Sequence, residues 1–203
     1  QERGAGRVTP KRVPYSVDLA VKLLSAYEQI ILVSARAPVA FFAYPGKPSL
    51  LAPTDCRFVT LAESHQDVNQ ALQALAEAVG ARQTAPAPIA NLNRPALPGP
   101  GRDPIEPVGL GQLVAALIPE GAVVVDESVS SGRGFDVPTS QAAPHSWLNI
   151  MGGAIGFGLP GAVGAAIGAP DRPVIVLEGD GSGMYTLQAL WTMARESLNV
   201  KVV

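Results

Sequence analysis

A chain of 203 residues with 47% hydrophobic side chains carries enough apolar surface for one large α/β domain or two small ones, which excludes a disordered tail. Its formal charge of -2 leaves no basic surplus with which to grip nucleic acid or an anionic membrane, and only a small local anion site stays open. The lone Cys56 excludes an internal disulfide, and without a secretory-type leader or an apolar run of about 20 residues the expected setting is reducing and cytoplasmic, with no membrane span.

In chain order, Leu19, Ala20, Leu23, Leu24 and Tyr27 recur at helical spacing behind a candidate cap at Ser16, and the apolar run at 30–33 reads as a buried strand. A loop with Pro38, Pro45, Gly46 and Pro48 leads to a short strand at 58–61. A helix follows whose Val68, Ala71, Leu72, Leu75 and Val79 share one face before Gly80 stops it. Two or three such units are too few to cover both faces of a doubly wound sheet, so residues 1–83 are expected to be part of a larger central α/β domain. Residues 84–107 concentrate proline and read as a stiff linker.

Residues 108–203 are expected to be a second domain. Val108, Leu110, Leu113, Val114, Leu117 and Ile118 form a helix that Pro119 ends, and a strand at 123–125 delivers Asp126, Glu127 and Ser128 to its carboxyl end. A polar loop runs to Ser146, a short strand at 147–150 enters a glycine-rich segment at 152–168, and the most apolar strand, 174–177, opens into Glu178 and the run Gly179, Asp180, Gly181, Ser182, Gly183. A helix with Leu190, Met193, Ala194 and Ser197 on one face precedes a last strand at 200–203. The order is βαβ repeated: a parallel sheet with right-handed crossovers and flanking helices, whose ligands bind at the carboxyl edge.

Gly179 to Gly183 lets backbone approach a phosphate and places amide donors at the positive end of the next helix, while Asp180 is a hard carboxylate able to hold Mg²⁺ against that phosphate. A tight strand-to-helix turn capped by Asp180 fits the same residues. The surroundings add a resemblance. The run EGDGSGMYTLQALWTMARESL at 178–198 resembles the thiamine-diphosphate motif, and its ALWT at 189–192 resembles the acetolactate synthase and benzoylformate decarboxylase branch of that family. GGAIGFGLPGAVGAAIGAPDRPVIVL at 152–177 resembles the stretch preceding the motif, and ARAPVAFFAYPGKPS at 35–49 resembles the central domain of acetolactate synthase-like large subunits.

The resemblance implies a thiamine-diphosphate-binding fold, cut short, bearing thiamine diphosphate and Mg²⁺. It implies Asp180 as metal ligand, with Gly179, Gly181, Ser182 and Gly183 lining the diphosphate. It further implies Ile155 under the bend of the cofactor, the Gly153 carbonyl accepting from the pyrimidine amino group, and Ser130 and Ser131 giving hydroxyls to the diphosphate, with Val129 standing where the family has another hydroxyl. The family's second metal ligand and its activating glutamate fall outside these residues, so the chain alone is expected to hold no catalytic residue. The complete enzyme would act on a small 2-keto acid as carboligase or decarboxylase in a homodimer or homotetramer, with FAD in the central domain left undecided.

Rival readings come from other residues. Gly156, Gly158 and Gly161 match G-x-G-x-x-G, and Glu178 follows where a ribose-binding acid belongs, which would make an NAD(P)-binding domain. Asn149 interrupts the preceding strand, however, Pro160 sits inside the pattern, and the reading leaves 179–183 unexplained. A hydrolase lacks G-x-S-x-G and has only His65 and His145 as bases, the first expected on the surface beside a helix start and the second in a solvated loop over the mouth. A binding fragment without activity is the third alternative. Cys56, Trp147 and Trp191 are expected in the core, and Asp126 with Glu127 as a functional pair or as strand-end caps.

Overall fold

The computed structural model describes residues 1–85, 89, 93, 94, 96, 97, 99 and 104–203, so the expected linker lies partly outside the described residues. Glu2–Arg3 form β1, which pairs antiparallel with residues near 146. Gln1–Thr9 therefore join Pro88–Val203 in one compact unit, and Pro10–Ala87 form the other. This corrects the expectation that residues 1–83 stay together.

In the smaller unit α1 (Val17–Leu24) buries Val17, Ala20 and Leu24 against Leu51, while Leu19 stays 58% exposed, so the buried face is rotated from the one expected. Ser16 occupies the N-cap position without a side-chain cap bond. Strands β2 (Gln29–Val33) and β3 (Arg57–Ala62) pair in parallel, and Cys56, just before β3, is free and buried. Helix α2 (Val68–Ala78) starts where Asp67 accepts from the Gln70 amide at 3.0 Å and stops before Gly80, whose φ is +66°. None of its residues is fully buried, so its apolar face lacks the cover expected of it.

The larger unit is arranged by alternation along two strands. After α3 (Pro107–Leu117), strand β4 (Val123–Glu127) points Val123 and Val125 to one side and Val124 to the other. The short α4 (Asp136–Thr139), β5 (His145–Asn149) and α5 (Gly158–Gly168) lead to β6 (Val174–Glu178), which repeats the rule with Val174 and Val176 against Ile175 and Leu177. The turn α6 (Asp180–Gly183), α7 (Gln188–Arg195) and β7 (Val200–Val202) complete a five-stranded sheet ordered β1-β5-β4-β6-β7, parallel except for β1. Leu159, Ala162, Ala166 and Met193 cover one face; Val114, Ile118, Phe135 and Trp147 cover the other. Both faces must be covered because β4 and β6 direct apolar side chains to each side of the sheet.

The glycine-rich segment at 152–168 thus contains a helix that its composition hides. The glycines give α5 little intrinsic stability, yet the small residues let it lie close on the sheet, and packing decides. Trp191 is a correction: it is 63% exposed, with the Arg195 guanidinium 4.5 Å over its ring, whereas Trp147 is buried at 1% as expected. Of the predicted inner face of α7, only Met193 is buried. Among the described residues no helix is long and apolar enough to cross a membrane.

The connection leaving β4 runs to β5 and that leaving β6 runs to β7, so the chain departs in opposite directions from two adjacent strands. Such a divergence opens a crevice outside their carboxyl ends, the usual ligand position in this architecture.

His145 is also corrected. It opens β5 at the amino edge, away from that crevice, and is 1% exposed, its Nδ1 donating to the Ala143 carbonyl at 2.6 Å beside Arg3 and Trp147. Burial, reinforced by Arg3, holds its pKa below the usual 6.5, outweighing the opposing pull of the Ala143 carbonyl and Glu2. The folded state therefore keeps His145 neutral, while the unfolded chain takes up a proton as pH falls through its own value, and stability falls with it. The melting temperature is expected to drop between about pH 7 and pH 5, and His145→Asn, which donates but does not titrate, should flatten that slope; an unchanged slope in thermal melts contradicts the assignment.

Candidate functional site

Three loops leave the carboxyl ends of the neighbouring strands β5, β4 and β6, and they carry the residues that the family resemblance assigns to cofactor and metal. Gly153 and Ile155 follow β5, Ser130 and Ser131 follow β4, and Gly179, Asp180, Gly181, Ser182 and Gly183 follow β6. Ile155 is 51% exposed, and Asp180 is exposed as well.

Glu127 ties two of the loops together. It ends β4 at 1% exposure, and its carboxylate accepts from the Gly156 amide at 2.7 Å and from the Gly158 amide through its other oxygen. Its carbonyl accepts from the Gly179 amide at 3.2 Å. A second tie runs from the Thr186 hydroxyl to the Gly156 carbonyl at 2.9 Å. Asp126 is a local brace, accepting from the Ser128 amide and hydroxyl at 3.1 and 2.5 Å and from Trp147 Nε1 at 3.2 Å. The two acids thus have separate structural tasks. Since the Gly156 and Gly158 amides already hold a protein carboxylate, they are not free for the pyrophosphate that a dinucleotide reading of G-x-G-x-x-G requires.

Glu178 lies in register with Glu127. A Cβ at Gly158 would stand 2.1 Å from its Oε2, so glycine there makes room for a second carboxyl. Among the described residues neither Glu178 oxygen has a hydrogen-bond partner of normal geometry. Burial, with the Glu127 carboxylate adding to it, raises the Glu178 pKa to about 7, and the nearby amides of Gly179 and Leu159 offset only part of that.

On the turn itself, Gly183 donates to the Gly179 carbonyl at 2.9 Å, which commits its amide, and Ser182 is buried at 6%. Apart from its chain neighbours and the backbone of its own turn, nothing lies within 4 Å of where a Cβ on Gly181 would stand, so that position is open. The Gly153 carbonyl accepts from the Ile155 amide at 2.9 Å and keeps one lone pair. Ser131 donates to the Ser128 carbonyl at 2.9 Å, whereas Ser130 is exposed. Val129 holds a left-handed φ of +48°, a strained choice for a β-branched residue. Among the described residues no three His, Cys, Asp or Glu side chains gather to hold a metal.

Comparison with known proteins shows what the chain is similar to. Residues 135–203 match the family model described as thiamine pyrophosphate enzyme, C-terminal TPP binding domain. A Mycobacterium tuberculosis protein that carries the name of an acetolactate synthase large subunit is 46% identical over 202 residues, covering 100% of this chain and 38% of that protein. Benzoylformate decarboxylase of Pseudomonas aeruginosa is 39% identical over 130 residues, 64% of this chain and 24% of its own length. Among solved structures, the thiamine diphosphate-dependent 4-hydroxybenzoylformate decarboxylase of Rhodococcus jostii RHA1 matches with a TM-score of 0.69 at 29% identity, over 94% of this chain and 38% of that one. The chain spans less than two fifths of the length of these relatives.

A carboxyl whose pKa is raised on folding costs stability once the unfolded chain ionises, so the cost of Glu178 grows from about pH 4.5 and is complete above about 7. Glu178→Gln removes it. The full shift corresponds to about 3 kcal/mol, which solvent screening of a partly exposed group cuts to about 1. The variant should melt a few degrees higher than the parent at about pH 8 and match it near pH 4; equal melting points at both values would count against a strained carboxyl.

Proposed function

We propose, for a chain that belongs to the thiamine-diphosphate-dependent enzyme family, that the crevice between β4 and β6 holds the diphosphate of that cofactor with Mg²⁺ on Asp180. The chain would thus be the cofactor-binding part of a 2-keto acid carboligase or decarboxylase. The observation that carries this is the gathering of three polar loops at the divergence of β4 and β6, with an exposed carboxylate on a glycine turn and open space over Gly181. When bound, thiamine diphosphate supplies the electron sink for carbanion chemistry.

This chain's residues do the holding. Asp180 shares the cation, the backbone around Gly181 and Ser182 borders the diphosphate, and the Ser130 and Ser131 hydroxyls line the other wall. Ile155 supplies an apolar surface under the ring end, and the free lone pair of the Gly153 carbonyl accepts from it. Binding rather than turnover is expected of these residues by themselves. Met151, Ile155, Met184 and Tyr185 are 76%, 51%, 68% and 65% exposed on the loops that follow β5 and β6. So much apolar surface near a crevice supports its closure by a second copy in a homodimer or homotetramer, with a small 2-keto acid admitted between them. A cytoplasmic setting accompanies this reading, supported by the free, buried Cys56.

Isothermal titration of the purified full chain with thiamine diphosphate, with and without Mg²⁺, tests the assignment. Binding should require Mg²⁺ and weaken by about 10–100-fold or more in Asp180→Ala. Equal affinity in the two proteins, or binding of NAD in place of thiamine diphosphate, overturns it.

A further inference from the structure

We propose that Glu127 is the positioning residue of the site: by holding the Gly156 and Gly158 amides, its buried side chain fixes where Gly153 and Ile155 meet the ring end of the cofactor. The inference rests on the thiamine-diphosphate reading for its ligand, though not for its geometry.

The loop cannot place itself. Gly152, Gly153 and Gly156 all hold left-handed φ values, +60°, +66° and +86°, and residues 151–155 are exposed. Within it, the bonds are those from Ala154 to the Met151 carbonyl and from Ile155 to the Gly153 carbonyl, at 3.2 and 2.9 Å, which curl the loop without anchoring it. The anchors come from outside, as the two bonds to Glu127 and the one from Thr186. Both Glu127 oxygens are used, and a planar carboxylate that receives two amides fixes direction as well as distance.

Glu127 also touches the other half of the site, but through its backbone, by the bond from the Gly179 amide. Side chain and main chain therefore serve different ends of the ligand. Changing the side chain should release the 152–158 loop and leave the Gly179–Gly183 turn in place. A residue that merely supported the fold would affect both ends together.

Two variants separate these cases. Glu127→Gln keeps the shape but turns an amide donor toward a backbone N–H; Glu127→Asp keeps the charge but is too short to span both amides. Each is titrated, in the full chain with Mg²⁺, with thiamine diphosphate and with inorganic pyrophosphate, and hydrogen exchange is followed over residues 152–158. Expected is a rise of about tenfold in the thiamine diphosphate Kd, with the pyrophosphate Kd unchanged and faster exchange in the loop. Loss of affinity for both ligands in equal measure, or unaltered loop exchange with unaltered affinities, overturns the proposal. Should the parent chain bind neither ligand, the cofactor reading falls instead, and the exchange rates still decide whether Glu127 holds the loop. Should Glu127→Gln not fold, Glu127→Asp carries the same comparison.

Discussion

Glu127 ends a strand whose three preceding valines fill both faces of the sheet, so the residue arrives at the carboxyl edge already enclosed. A carboxylate enclosed in this way must be hydrogen-bonded, because an unpaired buried charge would cost several kcal/mol. The amides of Gly156 and Gly158 meet that demand, and in meeting it they bind the loop after β5 to the end of β4. The start of α5 is thereby fixed. The requirement of one buried charge thus becomes the geometry of the crevice.

Much of this was legible from residue pattern. The strand at 123–125, the strand at 174–177, the order of elements and the place of Asp180 after the second strand follow from apolar runs that end in polar or glycine residues, whereas Gly153, Ile155, Ser130 and Ser131 were implied only by the family resemblance. A parallel sheet imposes that punctuation. What escaped is long-range. Nothing local in Gln1–Thr9 announces a strand, since β1 exists only by pairing with residues near 146, and His145 was drawn toward the mouth because Pro144 made its surroundings look like loop. Trp191 failed for a related reason, its size suggesting burial although its helix turns Met193 inward instead.

The pairing of Glu127 with Glu178 is invisible in the sequence, where the adjacent Asp126 and Glu127 look like the pair, and the reason is physical. Sequence gives Glu127 and Glu178 the same appearance, a carboxylate after an apolar strand, and only three-dimensional register sets them side by side. Once there, the pair cannot share one solution. Glu127 takes the Gly156 and Gly158 amides, while Glu178, without a well-formed partner among the described residues, has its pKa raised by burial and by the Glu127 charge. An arrangement that spends stability in this fashion, beside a proposed ligand site, matches the general pairing of local strain with function, as does the left-handed Val129 on the next loop.

The glycines of 156–161 show how one spacing can serve opposite chemistry. In a dinucleotide fold they leave amides free at a helix start for an external pyrophosphate. Here the anion is internal: Gly156 and Gly158 turn their amides to Glu127, and Gly158 also makes room for Glu178. A Cβ on Gly161 would stand 3.0 Å from the Phe157 ring and 3.4 Å from Val125, so this glycine serves close packing of helix on strand, as the third glycine of the motif does elsewhere. With its anion supplied from within, this helix start is taken up in positioning, and under the proposed function it is the exposed carboxylate of Asp180, on the turn after the neighbouring strand, that would meet an external diphosphate.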